Sequence, residues 1–123
     1  MTDGRANAYA KGVMGETAAC EYLCQRGMEL LTRRFHSPFG EIDLVMADGG
    51  ELVFVEVKTR EHGSARDGLD AVNPGKRRRI IETARCFLGD HPEYAARVTR
   101  FDIVTVTREG IRHLPNAFEG GEW

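Results

Sequence analysis

Cysteine, proline and tryptophan are scarce in this 123-residue chain, at three, four and one residues. Three thiols is an odd number, which argues against the paired disulfide frame of small secreted domains. Cys20 and Cys24 stand four residues apart, but no histidine or further cysteine nearby completes a tetrahedral zinc site. Both are expected as small buried core residues. Long apolar runs are also missing. The longest, Leu52-Val53-Phe54-Val55, is strand-sized and far short of the ~20 residues that a bilayer span needs. The opening MTDGRANAYAKG lacks the apolar stretch of a secretory signal, so a cytoplasmic protein with no membrane partner is expected. With 41% hydrophobic and 29% charged residues, the chain has a globular rather than a disordered composition. Its length suits one domain, expected over 9–118, between a flexible N-terminus (1–8) and a C-terminal tail (119–123).

Net charge is also small, at −2, and taken whole it argues against an electrostatic nucleic-acid binder. The distribution says otherwise. Residues 1–75 carry 8 Lys/Arg against 12 Asp/Glu, whereas residues 76–112 carry 9 against 5. An acidic first half is followed by a basic segment.

Helical spacing of Val13, Ala19, Cys20 and Leu23 predicts a helix over about Tyr9 to Gly27, with Gly27 as its stop. Met28 to Phe35 reads as a short strand, followed by a turn at Ser37-Pro38-Phe39-Gly40. Two strands, 41–47 and 51–59, flank Asp48-Gly49-Gly50, the strongest hairpin signal in the chain. Residues 60–73 form a polar loop long enough to suggest function. An Asn73 cap and Pro74 begin a second helix, whose apolar stripe is Ile80, Ile81, Ala84, Phe87 and Leu88. A strand over Phe101 to Thr107 and a short one over 111–114 complete the order αβββαββ, one α/β or α+β domain.

A two-residue loop at Gly49-Gly50 pairs Asp43 with Glu56 and Glu41 with Lys58. One face of the hairpin is then wholly apolar, with Ile42, Leu44, Met46, Val53, Val55 and Val57. The other carries three carboxylates and Lys58 at its far end. Facing acids are destabilising and call for a compensating cation beyond Lys58. A divalent ion such as Mg²⁺, which takes one or two carboxylates plus water and phosphate, would supply it.

Asp43, twelve residues, then Glu56-Val57-Lys58 resembles the D…(D/E)xK signature of restriction-endonuclease-like nucleases. GEIDLVMADGGELVFVEVKTR (40–60) is similar, more closely, to the YraN family of small bacterial proteins, relatives of archaeal Holliday-junction resolvases. The likeness extends through residues 15–31, AVNPGKRRRI (71–80), RFDIV (100–104) and HLPNAF (113–118). It implies the restriction-endonuclease-like fold, a central mixed sheet of four to five strands flanked by two main helices. It further implies Asp43 and Glu56 as metal ligands, Lys58 as the catalytic lysine and Glu16 as an accessory acid. Glu16 also falls on the buried-looking helix face, where a carboxylate needs a partner. Glu41 lies within the matched GEID and is either a third ligand or a salt-bridge partner of Lys58.

Lys76-Arg77-Arg78-Arg79 opens the second helix, where cations oppose the helix dipole, a placement that favours phosphate binding. Lys76, Arg77 and Arg79 are the phosphate candidates there, with Arg33, Arg34, Arg60 and Arg66 as a basic rim. Asp102 is expected to partner a nearby arginine, and the four histidines form no cluster. These readings make the chain a Mg²⁺- or Mn²⁺-dependent endonuclease-like hydrolase that binds DNA, including branched or junction DNA. RNA stays open as a partner, and a homodimer is implied by resemblance alone. The alternatives are a catalytically silent nucleic-acid-binding module of the same fold and a protein-interaction domain using Phe54.

Overall fold

Valine-rich β3 (Glu51–Thr59) is the central strand of the sheet, as its apolar run requires. The computed structural model describes residues 4–60 and 73–120. Helix α1 (Gly4–Gln25) leads into β1 (Glu29–Ser37), β2 (Gly40–Asp48) and β3. Helix α2 (Pro74–Asp90) and a 3₁₀ turn (Pro92–Tyr94) then lead to β4 (Thr99–Thr107) and β5 (Gly110–Phe118). The strands lie in the order β1-β2-β3-β4-β5, antiparallel except for the β3–β4 pair. This is an α+β fold with a five-stranded mixed sheet and two helices, in the order the sequence predicts.

Local signals set the element ends. Gly27, at φ +95°, closes α1 while the amides of Gly27 and Met28 donate to the carbonyls of Cys24 and Leu23. At the start of α2, the Asn73 side chain accepts from the Lys76 amide at 2.9 Å and Pro74 takes the first helical position. Three expectations fall short of the observed extents. Helix α1 begins at Gly4 rather than Tyr9, β1 runs on to Ser37, and β5 reaches Phe118. The 60–73 loop falls outside the described residues from 61 to 72.

Each helix covers one face of the sheet. Ala19 and Leu23 of α1 pack on Leu44, Met46, Val53, Val55 and Val104. Ile80, Ala84 and Phe87 of α2 pack on Val45, Leu52, Phe54, Phe101 and Ile103. Phe87 makes edge contacts with Phe35 and Phe54 at 5.3 and 5.7 Å, so truncating it to Ala would cost about 3–5 kcal/mol.

The predicted hairpin register holds from Asp48/Glu51 to Leu44/Val55. One residue departs from the predicted face: Ile42 packs in the α2 layer, whereas Leu44 packs in the α1 layer. The cause lies across the sheet. Arg33 pairs with Leu44 and Phe35 with Ile42, and between them Arg34 takes φ +53°. Both strands turn over at that point, and Asp43 sits at the turn-over.

Phe54 is buried between the sheet and α2, which removes the surface that a protein-interaction reading assigned to it. The cysteines correct another expectation: Cys24 is exposed, and Cys20 and Cys86 are only partly covered. Helix α1 turns Leu23 rather than Cys24 onto the sheet.

Candidate active site

Asp43 is held by the backbone of the neighbouring strand. Continued regularly, the ladder would bond the Val57 amide to the Ile42 carbonyl. That amide instead donates to Asp43 Oδ2 at 2.7 Å. The carboxylate thus does the work of a ladder acceptor where the strands change face.

Two more acids join it. Glu16 arrives on α1, which approaches β3 so closely that a Cβ on Gly15 would overlap Thr59 Oγ1. Its carboxylate accepts from Arg34 Nε at 2.8 Å, and Arg33 lies 3.8 Å away. Glu41 follows the β1–β2 turn. Carboxylate oxygens of Glu16, Glu41 and Asp43 all lie within 4.8 Å of one another. Burial and the charge of Glu56 raise the Asp43 pKa to about 8; the Val57 bond opposes this and Glu16 adds to it. Three carboxylate oxygens grouped this closely fit a hard divalent cation.

Glu56 stands on the other side of Asp43, with which it shares a hydrogen bond. Its Oε1 lies 3.2 Å from Lys58 Nζ and 2.7 Å from Lys76 Nζ. Lys76 is the third residue of α2, so the Asn73 cap that fixes the helix start also places this ammonium. Burial, together with the hydrogen bond and charge of Lys76, lowers the Lys58 pKa against the pull of Glu56. Lys76 shifts the other way, because its bonds to Glu56 and Lys58 outweigh its burial. Of the two lysines, Lys58 is therefore the readier to release a proton.

Asp43, Glu56, Lys58 and Glu16, named from the sequence, thus meet at one end of the sheet. Glu41 is there too, but its neighbour is His36, with Nδ1 3.5 Å from its carboxylate, and Glu56 takes the place beside Lys58 that was open to Glu41. The basic residues divide. Arg34 is engaged with Glu16, and the Arg77 guanidinium lies 5.6 Å from the Phe118 ring centroid. Arg79 is exposed on α2 and Arg60 just beyond β3, whereas Arg66 lies outside the described residues. The contact of Lys76 with Glu56 is not legible in the sequence. Its only local signal is a lysine at the third position of a helix, where the dipole disfavours it.

A second charged group occupies the opposite end of the β2–β3 hairpin. Arg100 binds Asp102 through two nitrogens, at 2.9 and 3.0 Å, and also reaches Asp48 and Glu51. This is the expected arginine partner of Asp102. The sequence did not reveal the rest: His113 Nε2 lies 2.7 Å from Asp102, and the Asn116 amide donates to it at 2.9 Å. Burial pushes Asp102 up, but the bonds from His113, Arg100 and Asn116 prevail and hold it below the usual carboxylate range.

Comparison with known proteins adds a family. Residues 15–106 match the model described as "Uncharacterised protein family UPF0102". A UPF0102 protein of Synechococcus sp. (strain JA-3-3Ab) is 44% identical over 125 aligned positions, which cover 94% of each chain. One from Rhodopseudomonas palustris (strain BisB18) is 41% identical over 94% of this chain and 84% of its own. Another, from Pseudomonas paraeruginosa (strain DSM 24068 / PA7), is 40% identical over 97% and 99%.

Proposed function

The chain belongs to the UPF0102 (YraN) family, and we propose that it is a metal-dependent endonuclease that hydrolyses phosphodiester bonds of DNA. The observation that carries this reading is the Glu16–Glu41–Asp43 group, running from buried Glu16 to exposed Glu41, beside the Glu56–Lys58–Lys76 group that adjoins Asp43. Clustered acids next to paired lysines suit phosphate chemistry, whereas a domain that only binds phosphate gains nothing from acids there.

Asp43 and Glu41 would hold Mg²⁺ or Mn²⁺, with Glu16 completing the group and Glu56 available through its bond to Asp43. Such an ion supplies Lewis acidity toward a phosphoryl oxygen and lowers the pKa of a bound water. The remaining roles fall to the chain. Lys58, with its lowered pKa, takes or shares a proton of the attacking water and donates to the charge developing on the phosphoryl oxygens. Lys76 shares the Glu56 carboxylate with Lys58 and lies closer to it, at 2.7 Å against 3.2 Å, so Lys58 is not its sole counter-ion. Arg34 and Arg33 hold the Glu16 carboxylate in place. Arg79 and Arg60, exposed on either side, meet the backbone phosphates.

The test is cleavage of linear, flapped and branched DNA with Mg²⁺ or Mn²⁺ by the wild type, Asp43→Asn and Lys58→Ala. Each substitution is expected to lower cleavage at least ~100-fold, in keeping with loss of a group acting in the transition state. Absence of cleavage by the wild type, with salt-sensitive DNA binding retained, would leave the silent binding module in its place.

A further inference from the structure

Three large apolar side chains are exposed among the described residues: Met14, Phe39 and Val98. Met14 and Phe39 each lie two residues before a carboxylate of the site, Glu16 and Glu41 respectively. Phe39 occupies the two-residue turn joining β1 to β2 and keeps about half of its surface (49%) in solvent. Turn positions favour Gly, Asn, Asp or Ser, and a phenyl ring there loses the benefit of burial.

The turn that carries this ring is braced. Pro38 fixes the backbone on one side. The Phe39 amide donates to Ser37 Oγ at 3.0 Å, and Ser37 Oγ shares a 2.8 Å hydrogen bond with Thr83 Oγ1 on α2. Thr83 in turn donates to the Arg79 carbonyl at 2.8 Å. A Cβ on Gly40 would stand 3.8 Å from both Arg79 Cβ and Thr83 Oγ1, so the hairpin rests against the basic end of α2. A half-exposed aromatic ring is therefore carried on a braced turn that rests against α2 at Thr83 and Arg79 and leads, two residues on, to Glu41 of the acid group.

Rigid, outward aromatics beside a phosphate-binding surface suit one ligand chemistry well: the face of an unstacked nucleobase. We propose that Phe39 stacks on an unpaired base next to the scissile phosphate, so that the site prefers nucleic acid with unpaired bases over uninterrupted duplex. This rests on the nuclease reading and names its substrate class. A single half-exposed ring falls short of the contiguous apolar patch that a protein partner would need.

The experiment uses the full chain in Ca²⁺, with two fluorescein-labelled DNAs: a fork with single-stranded arms and a blunt duplex of equal length. A 2-aminopurine at the fork reports stacking. The wild type is expected to bind the fork about tenfold more tightly than the duplex and to quench the 2-aminopurine, within the range of one base–aromatic stack. Phe39→Ala should bring the fork-to-duplex ratio close to one and abolish the quench. Phe39→Tyr should keep both, and Phe39→Leu, apolar but without a π face, should keep neither. An unchanged ratio and quench in Phe39→Ala would overturn the stacking role while leaving the nuclease reading intact. Failure of the wild type to bind either DNA would overturn the nuclease reading, and this proposal with it.

Discussion

At neutral pH Asp43 holds a proton that an exposed aspartate would have lost, because burial and Glu56 raise its pKa to about 8. Unfolded, the same group ionises near 4. Between those values the folded chain binds a proton that the unfolded chain does not, so stability falls as pH rises from about 4 to 8. Asp43→Asn keeps an oxygen acceptor for the Val57 amide and removes the titration. Urea melts should show the variant gaining on the wild type across that window, by more than about 1 kcal/mol at pH 8. A ligand carboxylate must give up its proton to a metal. Calorimetric Mn²⁺ titration at pH 7 in two buffers of different ionisation enthalpy should therefore register about one proton released by the wild type and none by Asp43→Asn.

Among the elements, the seat of α1 on β3 is the most sensitive to one atom. A methyl on Gly15 would overlap Thr59 Oγ1 and come within 3.2 Å of Thr59 Cβ, shifting the helix that carries Glu16. Gly15→Ala should lower stability by about 1–3 kcal/mol, the usual range for overpacking, despite the better helix propensity of alanine. Adding Thr59→Ala should restore most of it, which a double-mutant cycle by chemical denaturation would reveal. No local pattern announces this contact. The hairpin around Gly49-Gly50 and the Asn73-Pro74 helix start were readable because their determinants are neighbours in sequence. The hairpin register likewise brought Asp43 and Glu56 together in advance. The turn-over at Ile42 was not readable, since it depends on Arg34 in a different strand. The same holds for Lys76, whose meeting with Glu56 depends on where α2 docks. Arg34 looked like a phosphate contact for this reason as well: its helix-borne partner, Glu16, is 18 residues away.

Over the whole molecule, the two ends of the β2–β3 hairpin have different duties. At the Arg100 end, every buried charge has a partner, and that end serves stability. Asp102→Asn should cost about 3 kcal/mol at neutral pH, because it strips charge from a buried network that binds Arg100 and His113. The contribution of Asp102 is fully present above its unfolded pKa near 4 and is lost as pH falls through its lowered folded value. Acid titration followed by circular dichroism should accordingly show a flatter acid limb for the variant. At the other end the carboxylates come from separate parts of the chain, Glu16 from α1 and Glu41 and Asp43 from β2. An ion bound by all three would tie helix to sheet as a removable cross-link, closing a loop of chain much as a disulfide does. Mn²⁺ at a hundred times its Kd should raise stability by about 2.7 kcal/mol, and amide exchange in the second half of α1 should slow with it. Chelation should reverse both effects. In this architecture an ion bound at the carboxylates would steady the first helix as well as serve the proposed chemistry.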